Sequence, residues 1–173
     1  SSHPRYYVYG FYNDNVDEAK EFSHYKEYGA LYNWEAALSA CPRGWHLPSD
    51  DEWKTLEQFL GMNTSDINQR GRRSSGGVGK KLKAPIGWLI WSEEEASIYF
   101  NALPGGIYSR QVTIFQYHGR NSYYWSSTNR SDFIPLKEAY ARSLIYDYDG
   151  VVRESIPWQQ GLSVRCVKNY LLL

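Results

Sequence analysis

The order of helix and strand signals along this 173-residue chain predicts an α+β domain. Three observations carry that reading. A helix with a complete start signal lies at residues 49–60, well before the middle of the chain. After Trp88 the chain turns to short β-branched and aromatic runs separated by Pro, Gly, Asn and Asp. Helical and strand patterns do not alternate, as βαβ units would require, and no internal repeat is present.

The elements follow in order. Arg5–Tyr12 is aromatic and β-branched, and reads as a strand. The acidic stretch from Asn13 to Glu27 reads as loop or short helix. Residues 31–40 read as a helix ending near Cys41, because Pro42 disfavours helical backbone in the residue before it. Ser49-Asp50-Asp51-Glu52 is a capping box, in which the Ser49 hydroxyl takes the Glu52 N–H and the Glu52 carboxylate takes the Ser49 N–H. Trp53, Leu56 and Leu60 then mark the buried face, and Gly61 supplies a left-handed stop.

Residues 70–87, rich in Gly, Ser, Lys and Arg, read as a solvated loop. Gly76-Gly77-Val78-Gly79-Lys80-Lys81 is no phosphate loop: that pattern needs glycine where Ser74 stands and Ser or Thr where Lys81 stands. Strands are expected at 99–103, 107–117, 123–128, 139–148, 151–156 and 162–169, with Asp149-Gly150 as a two-residue type I′ hairpin turn.

Length allows one domain, or one domain with a short extension. Lysine plus arginine equals aspartate plus glutamate at 19 each, so no broad field draws the chain to nucleic acid or anionic lipid. No run approaches the roughly 20 apolar residues of a membrane-spanning helix. Ser1 reads as the start of a mature or trimmed chain. The 16 tyrosines and 7 tryptophans, against one methionine, offer contact area at low side-chain entropy cost, and equally suit an aromatic β-rich core. Cys41 and Cys166 leave two readings: one long-range disulfide in an oxidising compartment, or two buried thiols in a reducing one.

A set of motifs in fixed order then narrows the class. Tyr28-Gly29-Ala30-Leu31-Tyr32-Asn33-Trp34, the block from Ala40 to Trp53, Gly79-Lys80-Lys81-Leu82-Lys83, Phe100-Asn101-Ala102-Leu103-Pro104-Gly105-Gly106, Tyr124-Trp125-Ser126-Ser127-Thr128 and Ser163–Lys168 together resemble the Fibrobacter succinogenes major paralogous domain. That family is similar in fold to C-type lectin-like domains and to formylglycine-generating enzymes. The resemblance implies a C-type lectin-like fold at 28–173 preceded by an extension at 1–27. It further implies two helices, paired terminal strands, a second small antiparallel sheet with long loops, and a disulfide from the first helix to the last strand, Cys41–Cys166. It also implies a secreted or lipid-anchored surface protein of Bacteroidetes-like bacteria, with contact to a membrane only through a removed lipid anchor.

Catalysis finds few carriers. The enzymes of that superfamily use a redox cysteine pair, but Cys41 and Cys166 match structural positions. A serine triad needs a histidine base, and only His3, His24, His46 and His118 exist, with no zinc-ligand spacing. Asp147-Tyr148-Asp149-Gly150 lacks the further oxygens of a calcium loop. No cofactor or metal is therefore expected.

What remains is binding of a protein or carbohydrate ligand, without enzymatic activity. The expected face lies in 117–160: Tyr117, Asn121, Tyr123, Asn129, Arg130, Asp132, Phe133, Tyr140, Arg142, Tyr146, Tyr148, Arg153, Trp158 and Gln159. This mixture resembles antibody contact surfaces, and alternation along 139–148 would align Tyr140, Arg142, Tyr146 and Tyr148. Some proteins of this fold are diversified by retroelements in such a segment, and its composition fits that idea. The alternative is a structural or assembly module of a bacterial surface protein, with its aromatics buried. Trp125 is expected in the core.

Overall fold

The computed structural model describes residues 3–89, 100–130 and 137–170. It is a mixed α+β structure of short helices and small open antiparallel sheets. The largest sheet has four strands in the order β4 (Gly71–Arg73), β9 (Val151–Pro157), β8 (Glu138–Ile145), β7 (Asn121–Asn129). Two-stranded pairs join β1 (Tyr6–Tyr7) to β2 (Leu31–Tyr32), β3 (Trp45–His46) to β10 (Val167–Lys168), and β5 (Ile107–Ser109) to β6 (Ile114–Gln116).

Among the described residues the first half carries six helices: α1 (Val16–Glu21), α2 (Ser23–Tyr28), α3 (Trp34–Ala37), α4 (Asp50–Phe59), α5 (Thr64–Ile67) and α6 (Val78–Leu82). The capping box at the start of α4 forms in full, and Gly61 follows its end with φ of 108°. Asn15, Asn33 and Asn63 cap α1, α3 and α5 with their side-chain oxygens.

Several expected elements are redrawn. The helix expected over 31–40 is one turn, because Leu31 and Tyr32 pair with β1 and Asn33 starts the helix only afterwards. The strand expected over 5–12 keeps only β1. Its partner is β2, while β10 pairs with β3, so the terminal strands do not pair with each other. The long strand expected over 107–117 is a hairpin of β5 and β6, turned at Arg110–Thr113 without a glycine or proline. Within 99–103, Ala102 makes one parallel bridge to Lys83, and Tyr99 lies outside the described residues. Of 162–169 only β10 is a strand, with Leu162 and Ser163 forming single bridges to Tyr32 and Tyr124.

The segment 70–87 is not a solvated loop. It contributes β4 and α6, and Val78, Leu82, Lys83 and Ala84 are buried. Glycine makes this possible: a β-carbon at Gly79 would collide with the carbonyl oxygen of Gly150, and the Lys80 N–H donates to Asp149 O at 2.9 Å. Buried Lys83 donates to Tyr148 O at 3.0 Å, and burial brings its ammonium pKa down to about 8. The β8–β9 hairpin forms as expected, but residues 146–150 connect it. Gly150 does not take a positive φ; it is small because the Arg73 carbonyl oxygen and the Tyr148 ring pack where a β-carbon would stand.

Both faces of the large sheet are covered. One carries Tyr124, Leu144 and Val151 against Trp53, Met62, Val78, Leu82 and Trp88. The other carries Trp125, Ala139, Ala141 and Ile156 against Trp34, Ala37, Leu47 and Leu162. Trp125 is fully buried, and its indole N–H donates to Tyr32 O at 2.7 Å. The disulfide joins Cys41, after α3, to Cys166, beside β10, with a Cα–Cα distance of 5.7 Å across a sequence separation of 125. A closed loop of that length stabilises the fold by about 4–5 kcal/mol in the chain-entropy account.

Charge is buried between α4 and the sheet. Asp50 and Glu57 lie seven residues apart, on one helix face. Arg142 and Arg153 are register partners on β8 and β9, and Arg73 projects from the same face of β4. Arg73 Nη2 and Arg142 Nε each meet Glu57 Oε1 at 2.6 Å. Arg142 Nη1 reaches Asp50 Oδ1 at 2.8 Å, and Arg153 Nη2 reaches Asp50 Oδ2 at 2.7 Å. Glu57 is 0 % exposed and no member of the five exceeds 6 %. Three buried guanidiniums against two carboxylates leave one positive charge in excess. It is spread over the carbonyls of Ile67, Asn68 and Asp50, with Lys54 at the edge of the network also pairing with Asp50. Burial alone would raise the Asp50 pKa, but the bonds from Arg153 and Arg142 win and hold it well below the usual carboxylate range. Its contribution is therefore present above the ordinary aspartate pKa and fades only as pH falls below it.

Replacing Glu57 with glutamine leaves Arg73 and Arg142 facing a neutral amide in a dry site. We expect a loss of about 3–5 kcal/mol in urea unfolding at neutral pH with the disulfide intact.

Candidate functional site

The residues expected to form one face in 117–160 are dispersed. Arg142 and Arg153 belong to the buried charge network, so they face α4 rather than solvent. Tyr140 lies under the Arg153 guanidinium, 4.2 Å from its ring centroid. Tyr123 packs on the opposite face of the sheet, where burial pushes its hydroxyl pKa to about 12 and Asn121 donates to it at 2.7 Å. Trp158 stacks on Trp34 at 4.4 Å and packs against the core. Tyr146 packs against the other core cluster beneath Arg120, and Tyr148 lies beneath Arg72. Arg130 is paired with Glu138 at 3.1 Å. Tyr117, Asn129 and Gln159 are exposed. Asp132 and Phe133 lie outside the described residues. Strand alternation in 139–148 does place Arg142 and Tyr146 on one side, but that side is covered by α4 and the segment 78–88.

A different place gathers exposed aromatics. A cleft of about 890 Å³ lies between the N-terminal segment and the β5–β6 hairpin. Its walls come from β1, the stretch 11–16, α1, α2, β2 and the hairpin. Tyr6 is 62 % exposed and Tyr12 73 %, with Tyr25 and Tyr32 also on the lining. Its floor is rigid. Tyr7 stacks on Tyr108 at 4.0 Å, and Phe115 packs against Tyr108 at 5.0 Å and edge-on to Tyr12 at 5.3 Å. The volume falls within the range of small-molecule sites, roughly 300–1,000 Å³.

Two buried amides set the walls. Asn33 donates from its backbone N–H to Arg5 O at 3.0 Å. Its side chain accepts from Arg5 N at 2.8 Å and donates to His3 O at 2.8 Å. Gln160 accepts from Arg110 N at 2.7 Å and thereby fixes the hairpin. The lining carries three cations, Arg5, Lys20 and Arg110, against one carboxylate, Asp14, on a chain whose net charge is zero. Sequence reasoning missed this site because its residues come from segments read as strand and loop and are joined only by tertiary pairing. The run of tyrosines at 6–12 was the available signal.

Behind the cleft His24 and His118 meet ring to ring at 4.9 Å, amid Tyr9, Phe22 and Tyr28. His24 Nδ1 and His118 Nε2 are buried without partners. Burial, then the neighbouring His24, lowers the His118 pKa, with Glu27 opposing. His46 is different: Asn169 at 2.6 Å and Glu52 at 2.6 Å hold it between β3, α4 and the C-terminal segment, and raise its pKa. Among the described residues no group of three or more His, Cys, Asp and Glu side chains is placed to hold a metal.

The family model of the Fibrobacter succinogenes major domain matches residues 5–168, and the chain belongs to that family. The match includes both walls of the cleft. Neither the curated proteins nor the solved structures yield a match.

A histidine held neutral in the fold opposes acidification. The stability it contributes is full above the ordinary histidine pKa of about 6.5 and is lost as pH falls below it. We expect His118 to titrate below that value in NMR, and the Tyr9 and Tyr28 signals to lose dispersion in the same acidic window. His118→Phe removes that dependence.

Proposed function

We propose that this member of the Fibrobacter succinogenes major domain family is a non-enzymatic ligand-binding domain. Its binding surface is the tyrosine-lined cleft of β1, α1, α2 and the β5–β6 hairpin. The observation that carries the reading is the exposure of Tyr6 and Tyr12 above a floor of stacked rings. Large apolar rings with polar tips, left uncovered on a rigid base, have the physical character of a contact surface. Pre-organisation of that base limits the ordering cost of binding.

The long-range disulfide favours an oxidising location, secreted or on the cell surface. We retain a C-type lectin-like fold as part of the proposal, supported by the disulfide that ties the helical half to the C-terminal segment. Diversification of 117–160 finds less support, since Tyr123, Arg142, Arg153 and Trp158 are committed to packing or ion pairs that free substitution would disrupt. The ligand is a carbohydrate or a protein presented at a surface.

Glycan and protein arrays probed with the domain and with Tyr12→Ala test the reading. Tyr12 is exposed, so stability should change by less than about 0.5 kcal/mol. Binding to the array partner should weaken by about 2 kcal/mol, as for a central aromatic contact. Unchanged binding by Tyr12→Ala and Tyr6→Ala would move the site elsewhere, and absence of any partner would favour an assembly module.

A further inference from the structure

The cleft carries charge as well as rings. Arg5 and Arg110 both line it, one just before β1 and one in the turn of the β5–β6 hairpin. On the same lining is Tyr7, whose hydroxyl is buried without a hydrogen-bond partner. Among the described residues neither arginine makes an ion pair. The contrast with Arg73, Arg142 and Arg153, each matched to a carboxylate, is direct.

Both backbones are held from behind by buried amides, Arg5 by Asn33 and Arg110 by Gln160, each less than 8 % exposed. Like charges on one cleft lining repel unless an anion lies between them. A guanidinium presents a planar fork that matches a carboxylate.

We propose that the cleft recognises an acidic glycan, a sugar chain whose residues carry carboxylates, with Arg5 and Arg110 on the carboxylate and the Tyr6 and Tyr12 rings against the sugar faces. This rests on the cleft being the binding site. The ring-bearing lining is mostly tyrosine, so apolar faces alternate with hydroxyls, as they do on a sugar. A peptide anchored by a buried apolar side chain would need a deeper apolar pocket than these tyrosine walls provide.

The test is calorimetric titration of the intact, disulfide-bonded domain with oligosaccharides built on galacturonate, glucuronate or mannuronate, each beside its uncharged counterpart of equal length. Acidic chains should bind, weaken with added salt, and lose roughly tenfold in affinity in R5Q and again in R110Q. Both residues line the cleft and take part in no ion pair among the described residues, so thermal unfolding should change little in these variants, which separates loss of binding from loss of fold. K20Q serves as a second charge control and should weaken binding less. Equal binding of charged and uncharged chains, or full binding by R5Q/R110Q, overturns the acidic class while leaving the cleft in place. Silence across the whole set also overturns it, and the array result with Tyr12→Ala then judges the cleft independently. Capture of an acidic peptide with the same arginine dependence would replace the glycan with a protein ligand and overturn the proposal.

Discussion

The buried charge network between α4 and the large sheet is the constraint on which the rest of the molecule depends. Two carboxylates two helical turns apart meet three arginines from three adjacent strands. Such a network is weak as a source of net stability, because desolvation of five charges offsets most of the attraction. Its strength is selective. A slip of one residue in β8 or β9 would carry Arg142 or Arg153 to the opposite face and strip the buried carboxylates of one of their partners. The network thus fixes helix position, strand register and sheet order together.

Other features are arranged around that fixed centre. The irregular stretch of β7 between Trp125 and Asn129 brings Ser127 N to Pro48 O at 2.8 Å and Thr128 Oγ1 to Asp50 N at 2.9 Å, docking the start of α4 on the sheet. Beyond the opposite face, Leu162 bridges to Tyr32 and Gly161 to Tyr108. These bridges place β2 and the β5–β6 hairpin beside each other, with the N-terminal strand laid across by Asn33. The cleft is therefore the outer rim of a structure whose order is set on the far side of the sheet. Apart from Tyr32, which packs against the second core cluster, its tyrosines lie outside both clusters.

The α4 helix was legible because its start signal is local: a hydroxyl, a carboxylate three residues on, and an apolar face at helical spacing. The hairpin of β8 and β9 was legible for the same reason. The network was not, although Glu57 stands on the apolar face between Trp53 and Leu60, where a carboxylate requires a buried cation. Its arginines come from segments that composition assigns to a solvated loop or a binding face, and only strand pairing reveals their shared side. For that reason Arg142 and Arg153 look in sequence like parts of an exposed face, whereas both are buried in ion pairs. The segment 70–87 misled because glycine there serves close backbone approach at Gly79, which looks in sequence like loop flexibility. The cleft escaped notice because the short segments that wall it are brought together only by tertiary pairing, through Asn33 and Gln160.

Native-state hydrogen exchange, followed residue by residue with the disulfide intact, tests the central claim most directly. If the network anchors the fold, the amides of α4, β8 and β9 open only with global unfolding, and those of β1, α1 and α2 open at lower free energy in a separate step. If the amides of α4 and β8 exchange as readily as those of residues 6–28, the network is not the anchor and the account is wrong.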